Sequence, residues 1–227
     1  MLNVSLVGAI PDTQKLPELA AAVCVNHENK HSCKRGTSNY TEDADGLAKG
    51  LEVAVNSGHL SVLEHISISW LVEGLSRAAS HQLVRHRLAS YAQQSQRHCK
   101  VSTDNQDWYV IPDFIAHNPQ AKLAYYKAMN GIAIIYDELL ALGIPKEDAR
   151  MVLPNACKTT ILITMNARAF IEAAEKRLCN RAQWEIRGMF NLMRERIKYT
   201  HPLVYELAVP RCAKHGCIEA KPCGRPW

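Results

Sequence analysis

Apolar and polar positions change rhythm several times along the chain, and each rhythm predicts an element. NVSLVGA at 3–9, stopped by Pro11-Asp12-Thr13, predicts a strand. Residues 16–25 have helical character, whereas ENKHSCKRGTSNYTEDA at 28–44 is polar and interrupted by glycine, a loop. A helix is predicted over 47–55, ended by Asn56-Ser57-Gly58, with Gly58 suited to the left-handed position after a helix. Ser61-Val62-Leu63-Glu64 has capping-box spacing and predicts a single helical turn. ISISWLV at 66–72 alternates, which predicts a half-buried strand, and 75–84 reads as a helix leading into Arg85-His86-Arg87.

The second half is dominated by helical spacing. A long helix is predicted over 119–142, with Asn118 as its cap, Pro119 at the first helical position and Gly143 and Pro145 closing it. A short helix over 146–152 stops before Pro154, and the β-branched run 160–165 predicts a strand or buried segment. Two more helices are predicted over 167–176 and 183–198. Few strands among many helices make the fold class α+β, with no internal repeat.

Composition narrows the function. The chain has 227 residues, of which 47% are hydrophobic, ample for a folded core. Charged residues interrupt every stretch long enough to span a bilayer, and the N-terminus lacks a basic, then apolar, leader, so a cytoplasmic location and no membrane partner are expected. The net charge of +5 is too mild to imply nucleic acid, and none is expected as a partner. The eight cysteines are not expected to form disulfides. Most of the scattered ones are expected to be small buried hydrophobes.

Positive charge is instead concentrated at 85–100. Arg85-His86-Arg87 cannot share one helix face, so the triplet is expected at a helix end or turn, where all three can converge on a ligand. Ser95-Gln96-Arg97 offers a hydroxyl, a backbone N–H and a guanidinium, a credible phosphate cradle. Gln93 and Gln94 add amides that both donate and accept, as a base or flavin edge requires. An Arg-His-Arg triplet alone is usually a solvated charge cluster. The paired groups make a small anionic ligand the better reading.

RHR, seven residues, then SQR resembles the motif of the flavin-dependent thymidylate synthases, the ThyX family. GHLSVLEH at 58–65, Asn166-Ala167-Arg168, Arg177 and AQWEI at 182–186 resemble further family segments, so the resemblance covers roughly 1–210, a synthase domain, followed by a Cys-containing tail over 211–227. It implies a ThyX-like fold with a small mixed or antiparallel sheet and a homotetramer. It also implies reductive methylation of dUMP to dTMP, with methylenetetrahydrofolate as carbon donor, FAD as cofactor and NADPH as reductant. Ser61, Arg85, His86, Arg87, Gln93, Asn166, Ala167, Arg168 and Glu172 would then hold FAD. Gln82, Leu83, Val84, Arg85, Gln93, Gln94, Ser95, Gln96, Arg97, Arg150 and Arg177 would hold dUMP. Arg177 would be catalytic, its guanidinium stabilising charge on the uracil carbonyls in a dry site. Ser95 is read as a binding residue and not a nucleophile, Cys99 as structural, Trp184 as a core residue, and His59 and Tyr91 as candidates for the folate or for shielding the flavin, with His59 equally readable as a capped loop histidine.

Three positions depart from the family pattern. Glu172 stands where an amide or imidazole is usual, and would either turn to the ribose or leave that contact unmade. Lys176 replaces an apolar residue, and His98 an aromatic one. In the tail, Cys212, Cys217 and Cys223 with His215 or Cys179 could ligate zinc, but the spacings are not those of a CxxC pair and no metal is assigned. Two alternatives stay open: a relative acting on another pyrimidine nucleotide or delivering a hydroxymethyl group, and a non-catalytic nucleotide- or RNA-binding module.

Overall fold

A computed structural model describes residues 1–9, 20, 51 and 53–227; the helix expected over 16–25 and the loop over 28–44 lie outside these residues, apart from Ala20. Four strands form one sheet in the order β1-β2-β4-β3: β1 (Asn3–Ala9), β2 (Ser67–Ser76), β3 (Ser90–Gln93) and β4 (Lys158–Asn166). The described helices are α1 (Arg77–Leu83), α2 (Asp113–Ala116), α3 (Pro119–Ala141), α4 (Lys146–Ala149), α5 (Ala167–Arg177), α6 (Trp184–Arg196), α7 (Pro202–Leu207) and α8 (Arg211–His215). Leu60–His65, Gln106–Trp108 and Arg150–Val152 are single 3₁₀ turns. The expected α+β class is the one observed.

The chain forms two compact units. One comprises 1–3, 71–85 and 91–162, the other 4–70, 86–90 and 163–227. In the first, Trp108, Tyr109, Met129 and Cys157 form a buried cluster, with Tyr125 and Ile132 of α3 packed against it. Asn118 opens α3 by accepting from the N–H groups of Gln120 and Ala121, both at 3.1 Å, as its sequence position predicts. In the second unit, aromatic rings form a column. Trp70 and Phe170 lie 4.9 Å apart between centroids, and Phe170 stacks on Phe190 at 5.9 Å. Asn166 caps α5 by accepting from Ala169 N–H at 2.8 Å, and Gln183 caps α6 through Ile186 N–H at 2.8 Å. Capping by Gln183 is why α6 starts one residue later than its apolar spacing suggests.

Two expectations are corrected. The helix expected from residue 75 begins at Arg77, because β2 continues to Ser76, whose hydroxyl then accepts from Ala79 N–H at 3.0 Å and sets the start. The turn at Leu60–His65 exists, but its N-cap is His59 without a side-chain cap bond. The capping box does not form because the Glu64 carboxylate accepts from Arg168, 104 residues away. The strand β3, with the sequence SYAQ, carries no apolar alternation and had no signal in the sequence.

Candidate active site

In the first unit the candidate nucleotide residues sit around a braced loop. α1 ends at Leu83, and residues 84–85 form a turn, so Arg85 stands at a helix end as expected. Leu83 is fully buried, and Val84 and Arg85 are exposed. The Leu83 carbonyl accepts from the Tyr91 hydroxyl at 3.0 Å, which ties β3 to the end of α1 and gives Tyr91 a structural contact. Gln93 turns inward: its Nε2 donates to Ser80 Oγ at 3.0 Å and Thr159 Oγ1 at 3.3 Å. Gln96 donates to Cys157 Sγ at 3.3 Å. Burial raises the Cys157 thiol's pKa, against the opposing pull of Arg77 and Gln96, so it remains a thiol.

The loop that follows β3 is seated on α4. Ser95 Oγ accepts from Arg97 N–H at 3.2 Å, and the Ser95 carbonyl accepts from His98 and Cys99 N–H. Arg97 pairs with Glu147 at 3.0 Å, Arg150 Nε donates to the Glu147 carbonyl at 3.0 Å, and Lys146 donates to the His98 carbonyl at 2.9 Å. Arg97 and Arg150, 53 positions apart, are thereby brought to one glutamate. Sequence reasoning missed Arg77, whose Nη2 donates to the Gln94 carbonyl at 2.8 Å and fixes the start of this loop. Burial lowers its pKa, with Cys157 opposing and Arg150 adding to the depression. Its only signal in the sequence was its position directly after a capping serine.

In the second unit, Arg177 and His86 meet. Arg177 Nε donates to His86 Nε2 at 2.8 Å across 91 residues of sequence. The imidazole lies 6.1 Å from the Phe190 ring, at the end of the aromatic column. Burial, then the charges of Arg177 and Lys176, push its pKa down to about 4. The ring is therefore neutral at pH 7, and because Nε2 accepts, its proton sits on Nδ1. Asn166, Ala167 and Arg168 open α5, and the Ala167 N–H donates to the Ile66 carbonyl at 2.9 Å. Arg168 donates through Nε to Glu172 at 2.9 Å and through Nη1 to Glu64 at 2.7 Å. Glu172 thus faces Arg168. Ser61 and Arg87 are exposed, and His59 is exposed at the start of its turn. Trp184 is 42% exposed, so the expectation that it belongs to the core is corrected; as the first residue of α6 it precedes the buried face.

Cys179, Cys212, Cys217 and Cys223 all line one cleft. Among the described residues, however, no group of three or more His, Cys, Asp or Glu side chains converges as a metal site would require. Cys157 is buried as expected, but Cys99 is exposed.

A family model for thymidylate synthase complementing protein matches residues 5–203. The chain is 38% identical over 225 residues to the flavin-dependent thymidylate synthase of Geobacter sulfurreducens, covering 99% of this chain and 94% of that one. The chain belongs to the flavin-dependent thymidylate synthase family. A second family member, from Saccharolobus solfataricus, is 36% identical over 218 residues, covering 95% of this chain and 80% of its own length. The family fold is seen directly in solved structures. Thymidylate synthase X of Helicobacter pylori, crystallised with FAD and dUMP, superposes with a TM-score of 0.69 at 20% identity, over 92% of this chain and 99% of that one. The UMP/dUMP methylase PolB of Streptomyces cacaoi, bound with 5-Br dUMP, gives 0.73 at 21% identity, over 95% and 96%. The family read from RHR, SQR and Arg177 is thus the family found. Among the described residues, no helix is long and apolar enough to cross a membrane.

Proposed function

We propose that this chain converts dUMP to dTMP, taking the carbon from methylenetetrahydrofolate and two electrons from NADPH, and releasing tetrahydrofolate and NADP⁺. The observation that carries the reading is the Arg177–His86 hydrogen bond, because it joins the RHR motif to the one arginine the family resemblance makes catalytic. A half-buried guanidinium held by a neutral imidazole suits stabilisation of negative charge on a uracil carbonyl. A protonated imidazole would repel the guanidinium and could not accept its hydrogen bond.

The residues present fit a bound flavin in a divided way. Glu64 and Glu172 place two negative charges on the single positive charge of Arg168, so this cluster suits hydroxyl groups better than a diphosphate. Arg85 and Arg87 are exposed and make no ion pair among the described residues, which suits them to the cofactor's negative charges. Ser61, His86, Asn166 and Ala167 complete the proposed flavin residues, with Gln93 contributing its carbonyl. Bound FAD supplies the redox chemistry that turns a methylene unit into a methyl group. The chain's own residues bind and orient. Ser95, Arg97 and Arg150 receive the dUMP phosphate, and Gln82, Leu83, Val84, Gln94 and Gln96 hold the nucleoside with Arg85. Arg177 holds the developing charge.

A homotetramer is proposed from the family resemblance. Large apolar side chains left in solvent support it: Phe114 is 95% exposed, Met151 81% and Leu142 77%. A cytoplasmic location is proposed from the sequence alone.

The test is release of tritium from 5-labelled dUMP with FAD, NADPH and methylenetetrahydrofolate. Release with formation of dTMP is expected, and Arg177→Ala should lose at least about a hundredfold in turnover, more than it loses in flavin retention. No release from the wild-type protein would reject the reading.

A further inference from the structure

The family match ends at residue 203, and the tail beyond it folds back on the end of α5. Its contacts bracket Arg177, the last residue of that helix. Ahead of Arg177, Glu175 pairs with Lys214 of the tail at 3.9 Å. Just past it, Asn180 donates to the Arg225 carbonyl at 2.6 Å, and Arg181 Nη1 to the Lys221 carbonyl at 2.5 Å. Arg181 Nε also pairs with Glu219 at 3.6 Å, so one guanidinium clamps the tail at two points. The far end is held as well: the Arg194 guanidinium of α6 lies 5.7 Å from the centre of the Trp227 ring.

The joint between α5 and α6 depends on this arrangement. Its side chains at 180 and 181 are spent on the tail, while Arg187 of α6 donates to the Asn180 carbonyl at 2.7 Å. Arg177 stands at a helix C-terminus, where the last carbonyls lack intrahelical partners and the chain frays most easily. Yet its Nε must stay 2.8 Å from His86 Nε2, a separation that tolerates only a few tenths of an ångström of drift. The tail reaches Arg177 itself, which lines one cleft with Arg211, Ile218 and Trp227. A misplacement of about 1 Å in a positioned group can cost about a hundredfold in rate.

We propose that Asn180 and Arg181 are positioning residues for the reaction: by clamping the tail to the end of α5, they hold the Arg177 guanidinium where it meets both His86 and the uracil carbonyls. The kinetic consequence rests on the activity given above, whereas the effect on His86 does not. Because the clamp closes on main-chain carbonyls, it requires the side chains at 180 and 181 but not the one at 221.

The test compares FAD-loaded wild type with Arg181→Ala, Lys221→Ala, Arg177→Ala and the double variant Arg177→Ala/Arg181→Ala in tritium release from 5-labelled dUMP. Arg181→Ala should lower kcat about tenfold or more, with a smaller change in the KM for dUMP. Lys221→Ala keeps the carbonyl and should turn over as the wild type does. The double variant should be no slower than Arg177→Ala, because a residue that acts through Arg177 then has nothing left to position. Melting temperature and flavin absorbance report that each variant is folded and loaded, and Asn180→Ala, the milder change, takes the place of Arg181→Ala if that protein does not fold. His86 is titrated in parallel by NMR. Its pKa, about 4 in the intact protein, should rise in Arg181→Ala as the guanidinium leaves Nε2, and stay in place in Lys221→Ala. Unchanged kcat in Arg181→Ala, a loss that adds in full to that of Arg177→Ala, or equal losses in Arg181→Ala and Lys221→Ala would overturn the proposal. If the wild type releases no tritium, the activity is rejected and His86 decides alone: a raised pKa in Arg181→Ala supports the clamp, and an unmoved one overturns it.

Discussion

Glu147 occupies the arginine proposed to receive the dUMP phosphate, and removing its charge should tighten dUMP binding. Arg97 and Glu147 pair at 3.0 Å with side chains 53% and 51% exposed. An ion pair so open to solvent stabilises by about 0.2–1 kcal/mol. A phosphate that takes Arg97 must displace that carboxylate. Glu147→Gln removes both the competition and the repulsion between carboxylate and phosphate. Converting the pair's worth alone gives about 1.4- to 5-fold tighter binding. The second arginine is unaffected, because Arg150 Nε donates to the Glu147 main-chain carbonyl, which glutamine keeps. The assay is calorimetric titration of dUMP into the FAD-loaded protein at low and high salt. The gain should shrink toward unity near 1 M salt, where the screening length falls to about 3 Å. Asp148→Asn, which removes the same charge one residue on, controls for net charge. Unchanged or weaker dUMP binding in Glu147→Gln would show that the carboxylate positions Arg97 instead of competing for it, and would refute the reasoning.

Further outcomes follow from particular contacts. His86 is depressed to about 4, by burial first and then by Arg177 and Lys176, so the unfolded chain takes up its proton first as pH falls. The stability contributed by its neutral form is full above about 6.5 and is lost as pH falls toward 4. His201, also lowered by burial, acts in the same direction. Melting temperature should therefore drop across that window, and less so in His86→Gln; an equal drop in both proteins would count against the buried neutral ring. Gly74 has φ +76°, and a Cβ there would lie 2.7 Å from the Met1 carbonyl oxygen. Gly74→Ala should cost about 1–3 kcal/mol and lower the melting temperature by about 2–10 °C, whereas an unshifted melt would contradict the strain. Glu172→Gln keeps an acceptor for Arg168 Nε while removing a charge, so FAD should bind about 1.4- to 5-fold tighter by flavin fluorescence; weaker binding would mean that the carboxylate itself holds the cofactor.

Where local chemistry decides an element, the sequence was legible. Asn118, Pro119 and Gly143 bound α3 as their types require, and alternation announced β2. Legibility fails where a distant partner decides. Ser61 and Glu64 have the spacing of a capping box, yet a guanidinium 104 residues away takes the carboxylate. Residues 75–84 kept an apolar rhythm through the strand end, and only the capping by Ser76 separates β2 from α1. The site divides the same way. RHR and SQR stand out by residue type and Arg177 only by resemblance to the family, but the meeting of Arg97 with Arg150, the inward turn of Gln93 and the bracing role of Arg77 depend on three-dimensional neighbours. The tail could be read only as cysteines at odd spacings. Its cations carry no motif, and only the structure shows that Arg211 and Arg225 line the same cleft as Arg177.

The way the tail is gripped has an evolutionary corollary. Asn180 and Arg181 take hold of carbonyls that every amino acid possesses, so the path of the tail does not depend on which side chains it carries at 221 and 225. Selection can exchange the side chains that face the cleft while the route of the chain persists. Libraries randomised at 211, 218 and 225 should therefore yield folded proteins at high frequency. The tail is a place where side chains can drift while the course of the main chain beside Asn180 and Arg181 is kept.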